Sequence, residues 1–183
     1  MVIKNPKIAL MGIGGSGKTT LAADLHRILG VPLISECIRT AALELGLDTI
    51  SEIDPQTRLV LQTVALSRQK SMEWLHAASG FVSDRSRYDY EAYFAGFFGQ
   101  NSPVWQTYLR LSRIAATKYD LLIYVPPFTG TPEDDGFRLG EEFQILEQNV
   151  ARYLREFCGD SALILESRSK TDRCQEALAF IRG

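Results

Sequence analysis

The chain has little of what marks a secreted, metal-caged or nucleic-acid-coating protein. Its 183 residues include three cysteines, Cys37, Cys158 and Cys174. An odd number without a C-x-x-C spacing argues against a disulfide framework or a cysteine zinc site, and fits reduced thiols in the cytoplasm. With two histidines, His26 and His76, a histidine-rich metal centre is not expected. Both fall in helical patterns and read as structural. Charge of one sign is also scarce: 20 Lys and Arg against 22 Asp and Glu leave a net −2. Composition alone therefore demands neither nucleic acid nor a membrane surface as partner. No apolar run approaches a membrane span, no repeat or low-complexity tract is visible, and the N-terminus leads almost at once into a strand, so no leader is expected.

What is present is ordinary globular material, 45% hydrophobic and 23% charged, enough for one α/β domain over residues 1–183 with a substantial core.

The most specific feature is Gly12-Ile13-Gly14-Gly15-Ser16-Gly17-Lys18-Thr19-Thr20, which contains the G-x-x-x-x-G-K-[ST] phosphate-binding loop. The flanks agree with the motif. Lys7–Met11 is a short apolar strand pattern, and Lys18–Leu29 carries apolar residues at helical spacing. Glycines let backbone N–H groups curl around an anion, and the helix N-terminus adds partial positive charge. Gly12, Gly14, Gly15, Ser16, Gly17, Lys18, Thr19 and Thr20 are therefore expected to bind a nucleoside triphosphate. Lys18 is expected on the outer phosphates, and the Thr19 hydroxyl on Mg²⁺.

Further along, strands are expected at Val31–Ile34, Phe81–Ser83, Leu121–Val125 and Ala162–Leu165. Helices are expected at Cys37–Leu45, Asp54–Ala78, through Tyr88–Phe98, at Pro103–Lys118, Gly140–Phe157 and Thr171–Arg182. Five short apolar strands alternating with helices imply a parallel sheet covered on both faces, with ligands at the strand ends.

Three charged clusters follow strands on that edge. Glu36, with Arg39 one turn on, can accept the proton of an attacking hydroxyl while Arg39 binds substrate or phosphate. Asp84-Arg85 can hold Mg²⁺ or orient the nucleophile, and Arg85 can neutralise charge on the transferring group. Asp134-Asp135-Gly136-Phe137-Arg138 lies in a polar loop, about 127–140, long enough to be a lid that brings Arg138 over the γ-phosphate. Either Glu36 or Asp84 can be the base. The aromatic run from Tyr88 to Phe98 reads as core, or as a stack against a planar acceptor, with Tyr88, Tyr90 and Tyr93 the better candidates because of their polar tips. Arg68 and Gln69, on the preceding helix, are further candidates for the acceptor. Thr117-Lys118-Tyr119-Asp120 imitates a guanine-reading box, but it precedes a strand instead of following one, so Asp120 reads as a strand-start acid.

Taken together, the phosphate loop, Glu36-x-x-Arg39, Asp84-Arg85-Ser86, Tyr119-Asp120, Pro126-Pro127 and Asp135-Gly136-x-Arg138 resemble the P-loop kinase-like AAA domain of NadR-type nicotinamide riboside kinases. The Asp-Arg-Ser step is also similar to that of deoxynucleoside and thymidylate kinases. The resemblance implies a three-layer P-loop NTPase fold with strand order 2-3-1-4-5 and a lid carrying Arg138. It also implies ATP-dependent phosphoryl transfer with Mg²⁺. Lys18 and Thr19 would then contact phosphate and metal, Glu36 or Asp84 would activate the acceptor, and Arg85 and Arg138 would neutralise charge. The expected function is a cytoplasmic phosphotransferase moving the γ-phosphoryl group of ATP to a nucleoside- or nucleotide-type acceptor. The alternatives are a kinase of a hydroxymethylated pyrimidine in DNA, or a nucleotide-binding ATPase or signalling module.

Overall fold

Parallel strands whose side chains alternate between two helical layers give the chain its shape. The computed structural model describes residues 3–50, 52–127, 140–158, 162–167 and 169–182. The elements run β1 (Lys7–Met11), α1 (Lys18–Leu29), β2 (Leu33–Ile34), α2 (Cys37–Glu44), α3 (Pro55–Leu75), β3 (Phe81–Ser83), α4 (Arg87–Phe98), α5 (Pro103–Arg113), β4 (Leu121–Tyr124), α6 (Gly140–Cys158), β5 (Ala162–Ile164) and α7 (Lys170–Arg182). The sheet has five parallel strands in the order β2-β3-β1-β4-β5, as the resemblance implies. Residues 128–139 of the expected lid, with Arg138, lie outside the described residues.

Because strand side chains alternate, the central strands feed two cores. Ile8, Leu10, Val82, Ile123 and Val125 pack with Leu21, Ala22 and Leu25 of α1 and with Ala177 and Ile181 of α7. On the other face, Phe81 joins α2, α3, α4 and α5 through Ala41, Leu61, Ala65, Phe94 and Tyr108. Met11 and Tyr124 pack against Val150 and Leu154 of α6.

Local chemistry sets the helix starts. Asp54 caps α3 by accepting from the amides of Gln56 and Thr57, with Pro55 in the first turn. Ser86 and Asp89 form a reciprocal capping box on α4. Ser102 caps α5 ahead of Pro103. At the other end, α5 stops at Arg113 and does not run on to Lys118. Ile114 is extended and Ala115 has φ +49°, while Lys70 of α3 donates to the carbonyls of Leu111, Ser112 and Ile114. A cation on the last carbonyls replaces the next helical turn. The rejected guanine box is also accounted for: Asp120 accepts from the Lys7 amide at 2.9 Å, at the opening of β1.

Candidate functional site

The phosphate loop joins β1 to α1 with backbone angles that glycine provides. Gly12, Gly15 and Gly17 have φ of +143°, +70° and +90°. At Gly12 a Cβ would stand 2.5 Å from the Val125 carbonyl oxygen, so a side chain there would force the loop off the sheet. The loop divides into two halves. The Gly12 amide donates to Asp89 Oδ1 at 3.0 Å, and the Gly14 amide to Glu147 Oε1 and Oε2 at 3.3 and 3.1 Å. The amides of Gly15, Ser16, Gly17 and Lys18 carry no hydrogen bond among the described residues. They are donors in want of an acceptor beside a helix N-terminus, which is the make-up of an anion cup.

Lys18 is buried, and its Nζ donates to the Ile13 carbonyl at 2.6 Å and to Ser16 Oγ at 3.3 Å. Burial, with Arg85 nearby, lowers its pKa to about 8. Thr19 Oγ1 donates to Asp84 Oδ2 at 2.6 Å. The other oxygen, Asp84 Oδ1, is buried with no partner among the described residues. Burial raises the Asp84 pKa, against the pull of the Thr19 hydrogen bond and of Lys18.

Arg85 ties the strand ends together. It meets Glu36 Oε1 through Nε at 2.8 Å and Nη2 at 2.7 Å, the Gly12 carbonyl through Nη1 at 2.9 Å, and Asp89 Oδ1 at 3.4 Å. Its own carbonyl accepts from Ser83 Oγ and Gln69 Nε2, so Gln69 supports Arg85 from beneath. Burial works to raise the Glu36 pKa, but Arg85, Lys18 and Arg39 outweigh it and hold the carboxyl below its ordinary value. Glu36 is thus an ionised acceptor and Arg85 a fixed cation.

A cavity of about 380 Å³ unites these groups. Gly14, Gly15, Gly17, Lys18, Thr19, Thr20, Glu36, Arg39, Asp84 and Arg85 all line it. Ser16 is buried beneath the loop. Gly12 and Gln69 are not among its lining residues, and two other candidates from the sequence, Arg68 and Tyr88, lie elsewhere. Arg68 pairs with Glu44 of α2 and lines a separate depression along α3, because the buried face of that helix carries Leu61, Gln62, Ala65 and Gln69. Tyr88 packs against Tyr119 and Arg87, because the cavity-facing stripe of α4 is Asp89, Tyr90, Tyr93 and Phe97.

Several residues of the cavity are not among those expected from the sequence. Arg58 and Gln62, one turn apart on α3, line the cavity with Ile38, Ile50 and Phe97. Arg58 lies 4.3 Å from the centre of the Phe97 ring. Gln62 is 5% exposed and its Oε1 is buried without a partner among the described residues. The i, i+4 spacing of Arg58 and Gln62 behind the Asp54 cap was the available signal. Arg173 of α7 donates to the carbonyls of Ser167, Ser16 and Pro126 at 2.8, 2.8 and 3.0 Å, clamping the loop's underside. Only a fold that brings α7 beside the loop exposes that role.

A family model described as an AAA domain matches residues 7–165. In sequence, the chain is 37% identical over 71 residues to a cytidylate kinase of Pyrobaculum aerophilum, a match covering 35% of this chain and 39% of that protein. The matched stretch is thus well under half the length of this curated relative. In structure, the chain is similar to deoxyadenosine kinase from M. mycoides with bound dATP, at TM-score 0.72 and 17% identity over 97% of this chain and 100% of the other. It is also similar to NadR protein in complex with NAD and AMP-PNP, at TM-score 0.72 and 18% identity over 98% of this chain and 50% of the other. At such identities the likeness is one of fold.

Proposed function

The chain belongs to this AAA domain family, and on that premise we propose that it is an ATP-dependent phosphotransferase acting on a nucleoside- or nucleotide-type acceptor. The observation that carries the reading is the convergence of unpaired loop amides, Lys18, the Thr19–Asp84 pair and the Glu36–Arg85 pair on one cavity. ATP as donor is supported by the fold neighbours, which hold dATP and AMP-PNP. A nucleotide acceptor is supported by the cytidylate kinase match.

Phosphoryl transfer asks little covalent chemistry of a protein; positioning and electrostatics dominate. In this reading the amides of residues 15–18 take the phosphate chain, and Lys18 turns from the Ile13 carbonyl onto its outer oxygens. The Thr19 hydroxyl and Asp84 suit Mg²⁺: both are hard oxygen ligands, and Asp84 Oδ1 is buried without a partner among the described residues. Among the described residues no cluster of three ligating side chains exists, so the ion would depend on phosphate oxygens and water to complete its shell. Mg²⁺ would supply charge neutralisation at the phosphates.

The same contacts divide the two acids between roles. Asp84 is engaged with Thr19 at the phosphate side. Glu36, ionised and held by Arg85, is left clear of the Thr19–Asp84 pair and lines the cavity, and that placement makes it the candidate to orient an attacking hydroxyl and take its proton. Arg85 offsets charge on the transferring group. The wall of Ile38, Ile50, Phe97 and Gln62 suits a planar acceptor with a polar edge: apolar surface for its faces and a carboxamide for hydrogen bonding.

The test is label transfer from γ-labelled ATP to a panel of nucleosides, nucleoside monophosphates and hydroxymethyluracil-containing DNA. Transfer to a small acceptor is expected, and Glu36→Gln should cut kcat by about 10²- to 10⁴-fold. Transfer to the DNA alone would favour the DNA-modification alternative. Label released only as inorganic phosphate would favour the ATPase alternative.

A further inference from the structure

We infer that Glu147, on α6, is a positioning residue that sets the phosphate loop for the donor nucleotide. The inference rests on reading that loop as a triphosphate site. Glu147 is 6% exposed and lies 129 residues along the chain from Lys18. Both its carboxylate oxygens accept from the Gly14 amide, and the Tyr93 hydroxyl donates to Oε1. Burial raises its pKa, opposed by those same hydrogen bonds and by Arg85.

The packing brings α6 to this place. Gly96 of α4 faces Leu146, and a Cβ on Gly96 would stand 2.2 Å from Leu146 Cδ1. With hydrogen at that position, α4 and α6 can close on each other, and the next residue along α6 reaches both Tyr93 and the loop. Asp89 does the same for Gly12 from α4.

The consequence lies in the freedom of the loop. Gly14-Gly15-Ser16-Gly17 has few side chains to restrict it, and a free loop would have to be ordered each time a phosphate arrives. Pinning Gly12 and Gly14 from outside leaves the four following amides arranged before the ligand comes, and preorganisation appears as affinity. A carboxylate near an anion site also repels the anion. Glu147, however, does not line the cavity, and Gly14 and Tyr93 both donate to it, so ordering outweighs repulsion.

Titration calorimetry with Mg²⁺ and AMP-PNP on the wild type, Glu147→Ala and Glu147→Gln separates the two effects, since both variants remove the charge and only alanine removes the acceptor. Glu147→Ala should weaken nucleotide binding about tenfold, while Glu147→Gln stays within about threefold of the wild type. Hydrogen exchange should quicken at Gly14–Gly17 in Glu147→Ala with the α6 amides unchanged. Equal or tighter binding by both variants would overturn the inference, as would faster exchange along the whole of α6, which marks a merely structural contact. If Glu147→Ala does not fold, Tyr93→Phe keeps the carboxylate and removes its brace; binding about threefold weaker supports the inference and unchanged binding overturns it. A wild type that binds no AMP-PNP refutes the triphosphate reading itself, and the inference falls with it.

Discussion

The phosphate loop, through Gly14, Gly15 and Gly17–Thr20, and the wall of Ile38, Ile50, Arg58, Gln62 and Phe97 line one cavity, yet they are made of different material. The first is a contiguous run whose working groups are backbone amides, one lysine and one hydroxyl. The second is assembled from side chains on α2, the segment after it, α3 and α4. A backbone site depends on local conformation, and local conformation is written in consecutive residues. A side-chain wall depends on which helix faces inward, and that is decided by packing at long range. The proposed donor side is therefore generic and the proposed acceptor side particular, and substitutions should separate them.

The largest effect is expected at Lys18. Lys18→Ala should reduce phosphoryl transfer about 10²- to 10³-fold with thermal unfolding still cooperative. Equilibrium binding of the acceptor found in the label screen should barely change. A matching loss of acceptor affinity would break the division of the cavity into two sides.

The pH dependence sharpens the same division. Lys18 has a pKa of about 8 in the empty protein, whereas phosphate contact needs the cation. Above about pH 8 the nucleotide must bind together with a proton, so affinity should fall by up to about tenfold per pH unit. Below that value it should level off. The stability of the empty protein should move the opposite way. The unfolded chain holds the lysine proton up to the ordinary value of 10.5, so stability rises with pH between about 8 and 10.5. Calorimetry in buffers of different ionisation enthalpy would count the proton; the absence of proton uptake above pH 8 would reject the assignment of Lys18.

On the other side, Gln62→Leu and Phe97→Ala should each raise the acceptor KM about tenfold and leave AMP-PNP affinity unchanged. Affinity for both ligands falling together would mean that the wall is structural. Smallest of all, Arg68→Ala should leave transfer unaltered and change stability by less than about 1 kcal/mol, since the Arg68–Glu44 pair is exposed.

The reach of the sequence follows the same divide. The strand-loop-helix frame of residues 7–29 could be read residue by residue, and so could Asp84-Arg85 at a strand end, because each depends on neighbours in the chain. Glu36 and Arg39 were legible for the same reason. Arg68 and Tyr88 were not, because helical spacing alone does not say which stripe of α3 or α4 turns inward. That is set by Leu61, Ala65 and Phe94 joining the core. Glu147 and Arg173 were beyond sequence reading altogether. Their partners, Gly14 and Ser16, lie 133 and 157 residues away along the chain, and only the β2-β3-β1-β4-β5 order carries α6 and α7 to the loop. Arg138, the expected lid cation, lies outside the described residues.

In the proposed reaction the cup of amides and the Glu36–Arg85 pair act on one phosphorus atom. The most direct measurement is the fate of label from γ-labelled ATP incubated with wild type and Glu36→Gln and a panel of nucleosides and nucleoside monophosphates. Label is expected on a nucleoside-type acceptor in the wild type, with transfer to that acceptor at least about 10²-fold slower in the variant while AMP-PNP binds both alike. Label that never leaves ATP, or reaches the acceptor equally fast in both proteins, would contradict it.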